Sequence, residues 1–308
     1  IIFILKAPLA EFLRLSSSTS IVLLGAIFFC GGLASVVTGG LQGLEKFKWL
    51  AVFTVIAGLC KLLFSVVLVK SIPDALTAAL WGFLLPLFIG VVISIWPIRF
   101  LLRGIGKDTI EIKPLYRYIL PVLAVNLSFA LLTNVDMILV KHFFIYESQD
   151  YAVAQMIGKI ILSIAGVIYM VMFARISHLH AVSQSSRDIL KRSLLFTFYL
   201  SSLAALWYNI FPHFTFSLIA GKVNSQVILL ARVFSISMLF FALSNVLFYY
   251  QLSIEQYGFI TPLIAIGLLE AAAIYLFPTT PLFVAVITLL CAAALFFLDL
   301  RLAFRHAR

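Results

Sequence analysis

Charged residues are scarce in this sequence of 308 residues. They make up 11% of the chain and hydrophobic residues 63%, whereas about a quarter of a soluble domain is charged and about half is apolar. A soluble globular fold could not bury this much apolar surface. Segments of about 10 residues in which apolar and polar positions alternate, the pattern of a membrane β-barrel, do not occur. The composition therefore predicts helices that cross a bilayer, each with about 20 apolar residues.

Cysteines and catalytic motifs are also few. Cys30, Cys60 and Cys291 are scattered through apolar runs without a CxxC pair, which excludes a disulfide framework and a cysteine zinc site. The sequence has no HExxH, Walker-type phosphate loop, paired aspartate cluster or Ser/His/Asp arrangement. His178 and His180 have no third ligand nearby, so we interpret them as polar loop residues. We therefore expect no catalytic residue, no metal and no cofactor, and the chain is not predicted to be an enzyme.

Long apolar runs separated by polar connections predict an all-α fold, a polytopic transmembrane helix bundle. A short apolar stub ends near Pro8. The sequence starts at Ile1 without an initiator methionine, so we expect the first helices of a longer protein to be missing. The nine predicted spans are 19–40, 49–70, 75–97, 115–140, 151–173, 191–211, 228–250, 259–277 and 281–300.

Basic residues are unevenly divided between the two sides of these spans. The net charge of +10 arises from 22 Lys and Arg against 12 Asp and Glu. Fourteen basic residues lie in or next to the connections of one side and six in or next to those of the other, and cytoplasmic loops are the ones enriched in Lys and Arg. The richer side, with the carboxyl terminus, is therefore predicted to be cytoplasmic. We expect this charge to face the lipid bilayer, and no nucleic acid is expected as a partner.

Four charged residues within the predicted spans are candidates for function, because a charge at the bilayer centre costs roughly 2.5–3.5 kcal/mol even on the lenient insertion scale. They are Lys61, Asp136, Lys159 and Glu270. Each is expected to face the bundle interior or a wet cavity. Lys61, midway along its span, suits an anionic group such as a diphosphate, or else a carboxylate on a missing helix. Glu270 is a candidate proton site, or a structural partner of Arg232.

Asp136 and Lys159 lie on consecutive antiparallel spans at depths that differ by roughly 6 Å, so an ion pair between them is geometrically easy. Such a pair has either a structural role or a direct role in ion coupling and transport. Asn126 and Asn134 on the first span, and Gln155 on the second, extend two polar faces. These faces predict an aqueous, substrate-binding cavity, and hydrogen bonding between the helices is the alternative.

Three stretches of the chain carry a family resemblance. They are 39–48 (GGLQGLEKFK), 133–144 (TNVDMILVKHFF) and 151–160 (YAVAQMIGKI), the last with the pair Gly158 and Lys159. They resemble the polysaccharide flippases, of O-antigen or teichoic type, in the multidrug/oligosaccharidyl-lipid/polysaccharide exporter superfamily. The resemblance extends over nearly the whole chain, and Asp136 and Lys159 match recurrent positions of the family.

The resemblance implies two six-helix bundles around a central cavity. Residues 1–98 would be the last helices of a truncated amino-terminal bundle, 99–114 a cytoplasmic linker and 115–308 a six-helix carboxyl-terminal bundle. The charged stretch from Arg99 to Lys113 independently separates three predicted spans from six.

The function implied is alternating access that moves a polyprenyl-diphosphate-linked saccharide across the plasma membrane. The substrate-binding residues would then be Lys61, Lys159, Asn126, Asn134 and Gln155, with Asp136 and Glu270 as an ion-coupling or structural pair. Glycan polymerase or ligase machinery is a further candidate partner. The alternatives are a cation-coupled multidrug exporter of the same superfamily and a membrane-embedded glycan-assembly enzyme.

Overall fold

The computed structural model describes residues 19–44, 46–103, 112–181, 186–220 and 224–306. The expected apolar stub at the start of the chain lies outside the described residues, as does the centre of the expected linker, 104–111. Regular structure within the described ranges is entirely α-helical, as the composition predicts. The eleven helices in these ranges are α1 Thr19–Gly43, α2 Phe47–Ser71, α3 Ala75–Arg103, α4 Ile112–Leu132, α5 Val135–Phe143, α6 Ser148–Ala181, α7 Arg187–Ile210, α8 Pro212–Ala220, α9 Ser225–Ser253, α10 Ile260–Leu276 and α11 Pro281–His306.

The helices agree with a polytopic membrane protein. Eight candidate membrane spans are long and apolar enough to cross a bilayer among the described residues. The predicted span 259–277 corresponds to the shorter apolar helix α10, which has 17 residues. Proline begins both α8 and α11, a position that requires no backbone N–H donor.

The predicted span 115–140 is interrupted, because a turn at Thr133 and Asn134 separates α4 from α5. The Thr133 hydroxyl donates to the Phe129 carbonyl at 2.9 Å, and Asn134 Nδ2 donates to the Ala130 carbonyl at 2.7 Å. Side chains that bond to nearby carbonyls offer the backbone an alternative to the helical ladder. The interruption therefore has a local cause, and it places two polar residues at the end of α4.

One compact unit comprises residues 1–109. Among its described helices, α3 packs against both α1 and α2. Asp74 caps the start of α3, because its carboxylate accepts a hydrogen bond from the Leu76 amide at 3.3 Å and another from the Thr77 hydroxyl. The Thr77 hydrogen bond lowers the pKa of Asp74 below its ordinary value.

A second compact unit comprises residues 110–308 and has α9 as its central helix. Helix α9 packs against α6, α7 and α11. Its residues from Phe241 to Phe248 are all buried, so this part of the helix is enclosed on every side. A helix that is apolar on all sides is expected to be enclosed by other helices. Helix α4 packs against α10, and the short α5 contacts α6, α10 and α11. The interruption between α4 and α5 therefore lies beside α6 within this unit.

Candidate substrate and coupling site

The Asp136 carboxylate lies in the core of the second unit. It belongs to the first turn of α5 and is fully buried. The Tyr151 hydroxyl donates to it at 2.9 Å, and Gln155 Nε2 donates at 2.8 Å, both from α6. A carboxylate in the first turn also faces the positive end of the helix dipole. Hydrogen bonds from neutral groups thus satisfy a polar group that would otherwise be costly to bury.

The Lys159 ammonium lies on the accessible side of this carboxylate. Lys159 is half-buried on α6, and its Nζ donates to Gln155 Oε1 at 2.9 Å and to Asn134 Oδ1 at 2.7 Å. Gln155 therefore contacts Asp136 with its amide nitrogen and Lys159 with its amide oxygen. The four side chains form one chain of hydrogen bonds from the buried core to an exposed asparagine.

The expected ion pair between Asp136 and Lys159 is replaced by this bridge. Gln155 lies one helical turn before Lys159, so its amide reaches both groups and keeps the ammonium towards the accessible side. The ammonium donates its two hydrogen bonds to amide oxygens, which carry no net charge. The positive charge of Lys159 therefore has no direct carboxylate contact with Asp136.

The remaining polar residues extend the accessible face. Asn134, Asn126 and Ser163 are exposed. Asn126 Nδ2 donates to the Val122 carbonyl at 2.8 Å, and its Oδ1 accepts a hydrogen bond from the Tyr249 hydroxyl of α9 at 3.2 Å. The structure thus brings Asn134, Gln155 and Lys159 into direct contact and leaves Asn126 on the same unit as a separate polar position. Their assignment to substrate binding stays a prediction.

Glu270 on α10 is fully buried. Its Oε1 accepts a hydrogen bond from the Thr288 hydroxyl at 2.7 Å, whereas its Oε2 has no hydrogen-bond partner. The expected structural partner, Arg232, is exposed and lines a surface depression with His213. The Glu270 and Asp136 carboxyl groups are near enough to interact electrostatically. The structure therefore places Glu270 beside the buried end of the Asp136 network.

Lys61 belongs to the first unit and has a different environment. Its side chain is exposed on α2, and its Nζ lies 3.4 Å from the centroid of the Phe83 ring of α3. This is the geometry of a cation–π interaction. The ring face stabilises the ammonium without cancelling its charge.

Two features of the second unit were not predicted from the sequence. Tyr151 lies one helical turn before Gln155, so helical spacing could have identified it as a donor to Asp136. Asp299 is fully buried, and neither of its carboxyl oxygens has a hydrogen-bond partner. It lies close to the end of the predicted span 281–300, where an acidic residue is typical of a helix end. Because α11 continues to His306, Asp299 is inside the helix.

The residues that the structure describes contain no group of three or more His, Cys, Asp or Glu side chains that could hold a metal ion. The buried polar network is built from single carboxyl groups, amides and hydroxyls. Its donor set suits a proton or a weakly held monovalent cation, and it offers no nucleophile with an adjacent base.

Comparison with known proteins agrees with this architecture. A search of curated proteins found no match. A family model described as polysaccharide biosynthesis protein matches residues 1–180, which is more than half of the chain and includes Lys61, Asp136 and Lys159. Family and fold together indicate a membrane exporter or flippase related to polysaccharides, a transporter rather than an enzyme. The chain belongs to the polysaccharide biosynthesis protein family, within the multidrug/oligosaccharidyl-lipid/polysaccharide exporter superfamily.

Proposed function

We propose that this protein is a flippase that moves a polyprenyl-diphosphate-linked saccharide across the plasma membrane by alternating access. The observation that carries the proposal is the Lys159 ammonium, which Asn134 and Gln155 hold through neutral amide oxygens. An ammonium kept in place without a direct carboxylate contact can still attract an anion. Because the site is partly withdrawn from water, the attraction to a diphosphate is stronger than at a fully solvated lysine.

The amides around Lys159 suit the same ligand. Asn134 and Gln155 fix the position of the ammonium, and Asn126 adds an exposed amide on α4. Amide groups both donate and accept hydrogen bonds, as sugar hydroxyls require. Lys61 of the first unit, which is exposed above the Phe83 ring, is proposed separately as a substrate-binding residue.

Asp136 and Glu270 are the proposed ion-coupling pair. Glu270 Oε2 is buried without a partner, and the two carboxyl groups interact electrostatically. Two buried carboxylates that are both charged would repel each other, so a proton or a monovalent cation stabilises the pair. Uptake of that cation is linked to Lys159 through Gln155, which contacts both Asp136 and the ammonium.

The test of the proposal is the substitution Lys159→Ala, with Lys159→Arg as the charge-conserving variant. Because the ammonium is the main anion-binding group, Lys159→Ala should abolish glycan display at the cell surface, and Lys61→Ala should reduce it. Display is measured by lectin or antibody binding to intact cells, and the amount of inserted protein by immunoblotting of washed membranes. Lys70→Ala is a matched control, because Lys70 is an exposed lysine at the end of α2.

Normal display in the Lys159→Ala variant, with normal amounts of protein, would contradict the proposed anion site.

The buried carboxylates also favour a second function, a cation-coupled multidrug exporter of the same superfamily. That function is supported instead if the purified protein binds drugs with a defined affinity and surface polysaccharide stays intact when the protein is deleted.

The plasma membrane and a cytoplasmic carboxyl terminus belong to the same proposal. They are supported by the basic residues, fourteen of which lie on one side of the predicted spans. Glycan polymerase or ligase machinery is the proposed protein partner, since a translocated saccharide must be extended or attached on the outer side.

A further inference from the structure

Two tyrosines form a stacked pair on the second unit, outside the polar network. The rings of Tyr169 on α6 and Tyr249 on α9 are parallel to within 6°, with their centroids 4.0 Å apart. Phe173 contacts the Tyr249 ring edge to face, with centroids 6.0 Å apart. Both tyrosines are partly exposed. Because Tyr249 covers one face of the Tyr169 ring, the accessible surface of Tyr169 is backed by a rigid aromatic support.

The pair lies beside a polar group. The Tyr249 hydroxyl donates to Asn126 Oδ1 at 3.2 Å, which connects α9 to α4. Asn126 is exposed, and its Nδ2 makes one hydrogen bond to the Val122 carbonyl. An amide nitrogen carries two hydrogens and an amide oxygen two lone pairs. Asn126 therefore keeps hydrogen-bonding capacity next to the tyrosine pair.

The helices that carry Asn126 and Tyr169 are not closely packed against each other. Helix α4 packs on α10, and α6 packs on α7 and α9, whereas α4 and α6 are not closely packed along their described lengths. Gly166 of α6 lies against the Tyr169 ring at ordinary van der Waals distance. A Cβ atom built there has the Tyr169 hydroxyl at 3.9 Å as its nearest neighbour. A glycine that packed two helices together would meet much closer atoms, as Gly158 does with Phe234 at 3.0 Å.

The tyrosine pair faces the same side of α6 as Lys159. Tyr169 is ten positions after Lys159, which at about 100° per residue is less than a quarter turn away around the helix and about 15 Å along it. A ligand that contacts both Lys159 and Tyr169 must therefore extend well beyond the anionic group that binds Lys159. An oligosaccharide attached to a diphosphate meets that requirement.

We propose that Tyr169, supported by Tyr249 and flanked by Asn126, binds a pyranose ring of the saccharide. A pyranose ring presents C–H bonds on its face and hydroxyls at its edge. The negative face of an aromatic ring attracts the C–H bonds, and the Asn126 amide bonds the hydroxyls. Binding sites of this kind combine aromatic walls with a few polar groups that orient the ligand. The subsite rests on the proposed flippase function and names the groups that recognise its sugar.

The experiment measures the binding of two probes to the full chain in lipid nanodiscs. The probes are undecaprenyl diphosphate and undecaprenyl diphosphate N-acetylglucosamine, which differ only in the sugar. The unsubstituted protein should bind the sugar-bearing probe about 3- to 10-fold more tightly, the range that one aromatic contact supplies. Tyr169→Ala should abolish this difference and leave the Kd for undecaprenyl diphosphate unchanged, whereas Tyr169→Phe should keep the difference.

A second substitution tests the same site without removing the tyrosine. Gly166→Leu places a larger side chain against the Tyr169 ring, should displace that ring, and should therefore also abolish the preference for the sugar-bearing probe. Gly166→Ala is its small control and should keep that preference. Because the two variants alter different atoms, a folding defect in Tyr169→Ala does not prevent the test.

The proposal is overturned if the unsubstituted protein binds both probes equally, or if the preference survives in both Tyr169→Ala and Gly166→Leu. A purely structural tyrosine would weaken binding of the two probes to the same extent, which also overturns it. The proposed flippase function has a separate readout, because Lys159→Ala should weaken the binding of undecaprenyl diphosphate itself. If Lys159→Ala binds undecaprenyl diphosphate with an unchanged Kd and still prefers the sugar-bearing probe, the result contradicts the proposed anion site but not the tyrosine site.

Discussion

Gln155 is the residue on which the polar network depends, because its amide nitrogen binds an acidic side chain and its amide oxygen binds a basic one. The Nε2 atom donates to buried Asp136, and the Oε1 atom accepts from Lys159. A carboxylate in this position would contact Lys159 but could not donate to Asp136. A neutral amide satisfies both groups.

We expect Gln155→Leu to lower the free energy of unfolding by about 1–3 kcal/mol, because Asp136 loses a donor while it stays buried. The measurement is the thermal unfolding midpoint of the purified protein in detergent, compared with Met156→Leu. Met156 is the next residue along α6 and is 63% exposed, so its substitution should leave the midpoint nearly unchanged. Equal midpoints for both variants would show that Gln155 does not support the buried carboxyl group.

At the scale of the element, α6 and α9 pack more extensively than any other helix pair among the described residues of the second unit, and a glycine lies in their contact. A Cβ atom added to Gly158 would lie 3.0 Å from the Phe234 Cβ, 3.1 Å from the Met238 Cγ and 3.3 Å from the Phe234 carbonyl oxygen. The last of these is a backbone atom, which cannot move away without shifting α9. Small residues at membrane helix interfaces have this role generally.

Gly158→Ala is therefore expected to destabilise the protein by about 1–3 kcal/mol through overpacking. Gly166→Ala, two turns further along α6, should be neutral or slightly stabilising, because its Cβ has the Tyr169 hydroxyl at 3.9 Å as its nearest neighbour. The two glycines share a helix and differ in the space around them. Thermal unfolding in one detergent compares them directly, and an equal change in both variants would contradict the role of close packing at Gly158.

At the scale of the whole molecule, the distribution of basic residues determines the expected orientation in the membrane. Fourteen Lys and Arg residues lie on one side of the predicted spans, and that side is expected to be cytoplasmic. The connection between α9 and α10 belongs to the same side but has no Lys or Arg in 251–258. This connection is the most demanding place to test the orientation.

Single cysteines at two exposed positions make that test, in a background with the three native cysteines replaced. A cysteine at Thr279, between α10 and α11, should react with a membrane-impermeant maleimide in intact cells, because this connection is expected to be external. A cysteine at Gln256, between α9 and α10, should react only after the membrane is permeabilised. Thr279 and Gln256 are both exposed, so a difference reports sidedness. The reverse labelling pattern would invert the proposed topology.

Composition was enough to predict the class of fold. The few charges and the long apolar runs required bilayer-spanning helices, because no soluble core could take up that surface. The cost of a charge in the bilayer also identified Asp136, Lys159 and Glu270, and the structure places all three in or beside one buried network. The fold class and these charged positions could be predicted because the cost of placing a residue in the bilayer depends on that residue's own polarity and not on its partners.

The partners within the network depended on the tertiary structure. Spacing indicated that Asp136 and Lys159 could meet, but the Gln155 amide, one turn before Lys159 on α6, contacts both of them. Arg232 was expected beside Glu270, yet Thr288 of α11 is its hydrogen-bond donor. The stacking of Tyr169 on Tyr249 joins residues 80 positions apart on two different helices. Hydrogen bonds and ring contacts require distances of a few ångströms, and only the packing of helices against one another determines such distances.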